Sequence, residues 1–147
     1  MSFSGTFFNN IDPKGRLSIP AKLRGVLTDD YGDELLIVTR GKAALVAYPF
    51  SDWQKIKARV DAMPNGDARD LIYRTRISPA IECGFDGQGR IAIPPSLRTL
   101  AMFEKEVVVI GLGNKIEMWS QARFEEQMRR DEEQLSTLKA ELGDLGF

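Results

Sequence analysis

The chain carries no histidine and one cysteine, Cys83. Those two counts remove most side-chain chemistry at once. Every Ser-His-Asp and Cys-His arrangement is excluded. No zinc site of the usual Cys and His kind can be built. An enzyme would have to work with carboxylates, lysine or tyrosine alone, and no paired-carboxylate pattern is present. What recurs is a charged turn. Asp12-Pro-Lys-Gly-Arg-Leu-Ser-Ile-Pro-Ala-Lys-Leu-Arg24 returns 74 residues later as Asp86-Gly-Gln-Gly-Arg-Ile-Ala-Ile-Pro-Pro-Ser-Leu-Arg98, with 7 of 13 positions identical.

In each copy the spacing is that of an Asx-type turn. Asp12 or Asp86 accepts local N–H groups, Gly15 or Gly89 takes positive φ, and Arg16 or Arg90 pairs back to the carboxylate. A turn needs the aspartate and the glycine. It does not need Arg16 and Arg24 to recur as Arg90 and Arg98. Arginine presents a planar fork suited to phosphate oxygens and guanine edges. Lys14 and Lys22 add charge in the first copy only, because Gln88 and Ser96 replace them in the second.

Other motifs are weaker. Gly111-Leu-Gly113 and Gly87-Gln-Gly89 lack any surrounding phosphate-loop pattern and read as turns. The acidic run from Asp29 to Glu34 lacks calcium-loop spacing and reads as a solvated loop. Ser136-Thr-Leu-Lys139 has no partner motifs. Cys83 in an apolar strand, and Trp53 and Trp119, read as core residues.

The elements that must position the turn follow from patterning. Thr6–Ile11 is strand-like, and Arg16–Ile19 alternates polar and apolar as a half-buried strand does. Pro20 suits a first helical position, with Ala21–Leu27 giving two turns. Leu35–Thr39 and Ala43–Tyr48 read as a hairpin about Arg40-Gly41-Lys42. Glu34–Val38 resembles Glu106–Ile110, so the repeat extends beyond the turn. A helix capped by Ser51 or Asp52 carries Trp53, Ile56, Val60 and Met63 and stops at Pro64-Asn65-Gly66. A second short helix spans Asp67–Arg76. The tail from Ser120 is helical, with Phe124, Met128, Leu135 and Leu138 on one packing face; Gly143 and Gly146 loosen its end, which should be mobile. A unit of about forty-five residues rarely buries a sufficient core alone, so the copies should pack on each other and on other chains.

Net charge is -1, but its distribution is uneven. Residues 1–27 sum to +3, 28–53 to -3, 54–76 to +3, 77–116 to zero and 117–147 to -4. One face can therefore attract a polyanion although the whole does not. No apolar run approaches the roughly 18 residues of a membrane span. The start, Met1-Ser2-Phe3-Ser4-Gly5, is not a secretory signal, and a lone cysteine fits a reducing compartment, so a cytoplasmic protein is expected.

The doubled Asp-x-x-x-Arg motif, Asp12 to Arg16 and Asp86 to Arg90, with its flanking Gly-Arg-[Leu/Ile]-x-Ile-Pro, resembles the MraZ family of bacterial transcriptional regulators. Each unit is similar to the DNA-binding domain of AbrB-type regulators. The resemblance runs from Gly5 to about Met128. Pro13 departs from it by stiffening the first turn, and the tail matches no motif. The resemblance implies an α+β fold of two AbrB-like swapped-hairpin β-barrel units in pseudo-twofold tandem, with connecting and C-terminal helices. Expected boundaries are 7–54 and 83–126 for the units, 55–82 for the connector and 127–147 for the C-terminal helix and mobile tail.

It further implies homo-oligomeric rings on repeated promoter boxes of double-stranded DNA, repression of a cell-division and cell-wall operon that includes the chain's own gene, and a nucleoid-associated location. DNA would be read by Arg16 and Arg24, and by Arg90 and Arg98. Lys14 and Lys22 add phosphate contacts, while Asp12, Gly15, Asp86 and Gly89 hold the turns. No cofactor, membrane or small-molecule substrate is expected. The alternative is an antitoxin-like protein of the same fold that binds a partner protein as well as DNA.

Overall fold

The structure, a computed structural model, describes residues 2–147. The first copy contributes β1 (Thr6–Asn10), β2 (Arg16–Ser18), α1 (Ala21–Tyr31), β3 (Leu35–Arg40) and β4 (Leu45–Pro49). The connector holds α2 (Phe50–Asp61) and α3 (Asp67–Ile72), the latter continued by a π-helical turn, Tyr73–Ile77. The second copy repeats the order with β5 (Ile81–Gly84), β6 (Arg90–Ala92), α4 (Pro95–Leu100), β7 (Glu106–Gly111) and β8 (Ile116–Ser120). Helix α5 (Gln121–Leu135), a 3₁₀ turn (Ser136–Leu138) and α6 (Lys139–Leu145) follow.

The copies are interleaved. Six antiparallel strands lie in the order β1-β7-β8-β4-β3-β5, and β2 and β6 form a separate ribbon. Each copy's first strand therefore pairs with the other copy's hairpin, β1 with β7 and β5 with β3. A pseudo-twofold axis relates the halves. It passes through the Leu17–Ile91 pair of the ribbon and the Val46–Glu117 pair of β4 and β8, both pairs joining equivalent residues. This exchange answers the small size of each unit, because neither closes a core without the other's strand.

Two faces of the sheet are covered, which is why its central strands read as unbroken apolar runs. Leu36, Val38, Leu45, Ala47, Val107, Val109, Ile116 and Met118 face inward onto Leu17, Ile19, Leu23 and their repeats Ile91, Ile93 and Leu97. On the outer face α2 and the π turn cover Ile37 with Trp53, Val60 and Ile77. At the other end Phe124 of α5 packs beside Val108 and Trp119. Both tryptophans and Cys83 are buried, as their apolar settings predicted, and burial pushes the Cys83 thiol up to about 12.

Several local expectations are corrected. The equivalence of Glu34 with Glu106 is one residue out. Hairpin registers Leu36–Pro49 and Val107–Ser120 set the offset at 71, so Leu35 matches Glu106. A one-residue slip would have turned every side chain of those strands to the wrong face. Helix α1 runs to Tyr31 rather than Leu27, ending on Gly32 in the left-handed region. Pro20 sits one residue before it, at the N-cap; Pro95 takes the first helical position in the second copy. Neither Ser51 nor Asp52 caps α2, which starts at Phe50; Ser51 instead donates from its hydroxyl to Asp33 at 2.9 Å. The helix expected over Asp67–Arg76 becomes π-helical from Tyr73. Thr39 there donates its hydroxyl proton to the Arg76 carbonyl at 2.5 Å. The tail helix packs on the body only through its first turns. Met128, Leu135 and Leu138 are exposed, α5 stops at Leu135 before the 3₁₀ turn, and the separate helix α6 runs through Gly143 to Leu145.

Candidate nucleic-acid interface

The two turns have the same construction. Asp12 Oδ1 accepts the Lys14 and Arg16 backbone N–H groups at 3.0 and 2.8 Å, and Asp12 Oδ2 accepts Arg16 Nε at 2.6 Å. Asp86 does the same with Gln88, Arg90 and Arg90 Nε at 2.9, 2.9 and 2.8 Å. Gly15 and Gly89 take φ of 81° and 75°, each donating its N–H to its own aspartate carbonyl. The Arg16 backbone N–H, then the Arg16 side chain, hold the Asp12 carboxyl below the usual range. For Asp86 the Arg90 backbone N–H leads, followed by that of Gln88. Both aspartates therefore stay ionised and fix their arginines.

Each arginine is held through Nε only. The outer nitrogens of Arg16 and Arg90 bond to nothing among the described residues, so each fork is pre-aimed and open. Ribbon geometry aims both the same way. Leu17 and Ile91 point into the core, so Arg16, Ser18, Arg90 and Ala92 alternate to the outer side. Arg16 opposes Ala92 and Arg90 opposes Ser18, which makes the arginines diagonal neighbours, roughly 7–8 Å apart at their bases.

Arg24 and Arg98 occupy different positions from Arg16 and Arg90. The Arg24 guanidinium lies against Gly89, where a Cβ would come within 2.6 Å of Arg24 Cζ. Its Nε donates to the Ile19 carbonyl at 2.9 Å. Arg98 lies likewise against Gly15, and its Nη1 reaches the Pro13 carbonyl at 3.5 Å. Both are half-buried and each props the other copy's turn. The turns are also cross-tied by backbone: Ile19 N–H donates to Gly89 at 3.1 Å and Ile93 N–H to Gly15 at 2.8 Å. Lys14 and Lys22 are exposed.

Motif spacing singles out none of Asn9, Ser18 and Ala92. Asn9 Nδ2 donates to the Ser18 carbonyl at 3.0 Å and steadies the ribbon's outer edge. Ser18 and Ala92 lie between the arginines; the alternation of Arg16-Leu-Ser-Ile was the signal that could have placed them. Beside each turn lies a cleft. The one by Asp12, Pro13, Arg98 and Met102 measures about 920 Å³. Its counterpart by Asp86, Gly87 and Arg24 measures about 510 Å³.

Interleaved hairpins about a pseudo-twofold axis, with a charged turn at each end of a central ribbon, define a tandem AbrB-like protein. The family described as "MraZ protein, putative antitoxin-like" matches this chain twice, over residues 2–71 and 77–145, once per copy. A transcriptional regulator MraZ of Syntrophotalea carbinolica is 46% identical over 150 residues, covering 100% of both chains. Those of Halothermothrix orenii and Geotalea daltonii are 41% and 37% identical, with 99% of each chain covered. The chain belongs to the MraZ family, a family of transcriptional regulators and not of enzymes. Among the described residues no helix is long and apolar enough to cross a membrane.

Proposed function

We propose that this chain is a sequence-specific DNA-binding regulator acting as a homo-oligomer on repeated promoter boxes, most simply as a repressor of its own operon of division and wall genes. The observation that carries the reading is the pair of aspartate-held arginines facing outward from one ribbon with their outer nitrogens open. A two-stranded ribbon fits the major groove, and arginine forks match guanine edges. Lys14 and Lys22 neutralise phosphates beside them, so binding weakens steeply with salt. Arg24 and Arg98 support the reading chiefly by holding the turns, with exposed edges left for phosphate. The site is a nucleoid one and needs no cofactor.

One ribbon offers few contacts, so affinity must come from several ribbons on linked boxes. Linking is worth on the order of 10²–10⁴ when geometry permits. Gel shifts with DNA from upstream of the chain's own gene test this. Several boxes should bind far more tightly than one, and equal affinity for one box and for four would refute it. An antitoxin-like role is the second reading, favoured by the family's description and by the exposed leucines of the tail. It predicts a stable complex with a protein of another sequence.

A further inference from the structure

The clefts beside the two turns are built at matched positions and lined by unlike chemistry. Helix α1 runs for 11 residues past the second cleft, whereas α4 runs for only 6 past the first. The shorter helix leaves the first cleft wider, about 920 Å³ against about 510 Å³. Its wall is apolar, formed by Ile11, Pro13, Pro95, Met102 and Phe103. The second cleft has Leu35 and Phe85 beside glycines, and Thr28, whose hydroxyl donates to the Arg24 carbonyl at 3.1 Å. A volume of roughly 300–1,000 Å³ with an apolar wall and a few polar groups is that of a small-molecule site.

Each cleft holds one arginine of the repeat, and the two are in different states. Arg24 Nε is satisfied by the Ile19 carbonyl at 2.9 Å. Arg98 Nε is buried and bonds to nothing, and the guanidinium is tethered only by the 3.5 Å contact from Nη1 to the Pro13 carbonyl. A guanidinium in that state has donors open for a forked acceptor such as a carboxylate. The strand offset of 71 then matches Glu34 of the second cleft with Lys105 of the first. An acid at one end is thus exchanged for a cation at the other. Two carboxylates also line the first cleft. Asp12 is engaged by its own turn, through the Lys14 and Arg16 backbone N–H groups and Arg16 Nε. Glu104 is exposed, has no partner among the described residues, and opposes an anion.

We propose that the cleft beside the first turn binds a small organic anion with an apolar body, a carboxylate being the simplest, and that its occupation weakens the first turn's hold on DNA. The tail of the ligand lies on Met102 and Phe103, and its head meets Arg98 and Lys105. Arg98 packs on Gly15. A carboxylate that takes the Arg98 fork draws it off Gly15 and the Pro13 carbonyl, so the turn that carries Lys14 and Arg16 loses its prop. The added negative charge beside the turn also opposes phosphate. By linkage, DNA weakens the ligand by the same factor. The coupling rests on the DNA reading proposed above; the binding site rests on the cleft alone.

Calorimetry of the full chain with octanoate, octanol and inorganic phosphate separates charge from tail. Octanoate should bind once per chain. Octanol keeps the tail without the charge, and phosphate keeps the charge without the tail; each should bind at least about tenfold more weakly. Lys105→Glu gives the first cleft the second cleft's acid and should weaken octanoate about tenfold. Glu104→Gln should tighten it. Thr99→Trp, at an exposed position of the lining, should fill the cleft and block it. All three variants should keep the melting temperature of the unmodified chain. In gel shifts octanoate should weaken DNA binding several-fold, and that effect should vanish in Thr99→Trp. Equal affinity for octanoate and octanol, or octanoate binding unmoved by both Lys105→Glu and Thr99→Trp, overturns the site. Octanoate that binds in the cleft and leaves DNA affinity unchanged overturns the coupling. A chain that binds octanoate in the cleft and no DNA overturns the DNA reading, and the coupling with it, while the site stands.

Discussion

Turn one and turn two share a fold and differ in charge. Asp12 and Asp86, Gly15 and Gly89, and Arg16 and Arg90 occupy matched places with matched hydrogen bonds. Around them the first copy adds Lys14 and Lys22 where the second has Gln88 and Ser96. Arg16 is also the more open side chain, 40% exposed against 25% for Arg90. The second copy shows that the turn closes without either lysine. Charges that the fold does not need are charges turned toward something outside the chain, and they are concentrated in the first copy.

The largest expected effect separates the two arginines. Arg16→Ala should abolish specific DNA binding and leave the oligomer intact, because a bidentate base contact is worth about 1–3 kcal/mol and disappears from every subunit. Arg90→Ala should cost less affinity. Gel shifts and melting curves run side by side decide the matter. If Arg90→Ala loses DNA as fully at an unchanged melting temperature, both copies read DNA equally and the difference in charge does not select the reader.

The glycines should separate next, in stability. A Cβ on Gly15 would sit 2.4 Å from the Ile93 carbonyl oxygen, a backbone atom that cannot step aside. On Gly89 the nearest atom is Arg24 Cζ at 2.6 Å, the end of a side chain. At either position a side chain costs roughly 1–2 kcal/mol for left-handed backbone. Gly15→Ala should therefore cost about 3 kcal/mol, adding overpacking against fixed atoms. Gly89→Ala should cost nearer 2 kcal/mol, with Arg24 displaced. Equal denaturant midpoints for the two variants would show that the cross-tied turns are mechanically equivalent.

The repeat makes most of the turn legible in the sequence. Asp12, Gly15 and Arg16 sit where turn chemistry puts them, because those contacts span only four residues. Strand exchange is legible only through the family resemblance: no local signal tells Thr6–Asn10 to pair with β7 instead of β2. The seats of Arg24 and Arg98 are hidden for the same reason, since each arginine packs on a glycine of the other copy, far away in sequence. The one-residue slip at Glu34 arises because a run apolar on both faces has no alternation to fix its register. The tail's helical tendency follows from its apolar period, but nothing in that period says that only Phe124 finds the body while Met128, Leu135 and Leu138 stay exposed.

A smaller effect should follow from moving charge between the turns. Lys14→Gln should lower the slope of log affinity against log salt by about 0.9 for each phosphate left without its cation. Gln88→Lys should raise it by a similar amount if the second turn lies against phosphate in the complex. Salt titrations of binding read both. A raised slope would mean that the second copy touches DNA and lacks only the charge; an unchanged slope would mean that it stands clear.

The smallest effect lies where the copies differ in length. Helix α1 ends on Gly32 at φ 66°. The turns repeat at an offset of 74 and the following strands at 71, so the second copy is three residues shorter between helix start and strand. Its left-handed residue there is Met102, at φ 55°. A side chain in that region costs roughly 1–2 kcal/mol, and glycine gives back about 0.5–1 kcal/mol of that as extra chain entropy in the unfolded state. Met102 is 59% exposed, so little packing goes with it. Met102→Gly should stabilise the protein by about 0.5–1 kcal/mol, or about 2–4 °C in a thermal melt. The mirror change, Gly32→Ala, places a Cβ that meets no atom within 4 Å, so its cost is backbone alone, about 1 kcal/mol. A fall in melting temperature for Met102→Gly would break the symmetry of the pair. It would mean that the methionine, which lines the cleft of about 920 Å³ beside Asp12 and Pro13, packs there closely enough to outweigh its own strain, and that the first turn's setting depends on a side chain with no equivalent in the other copy.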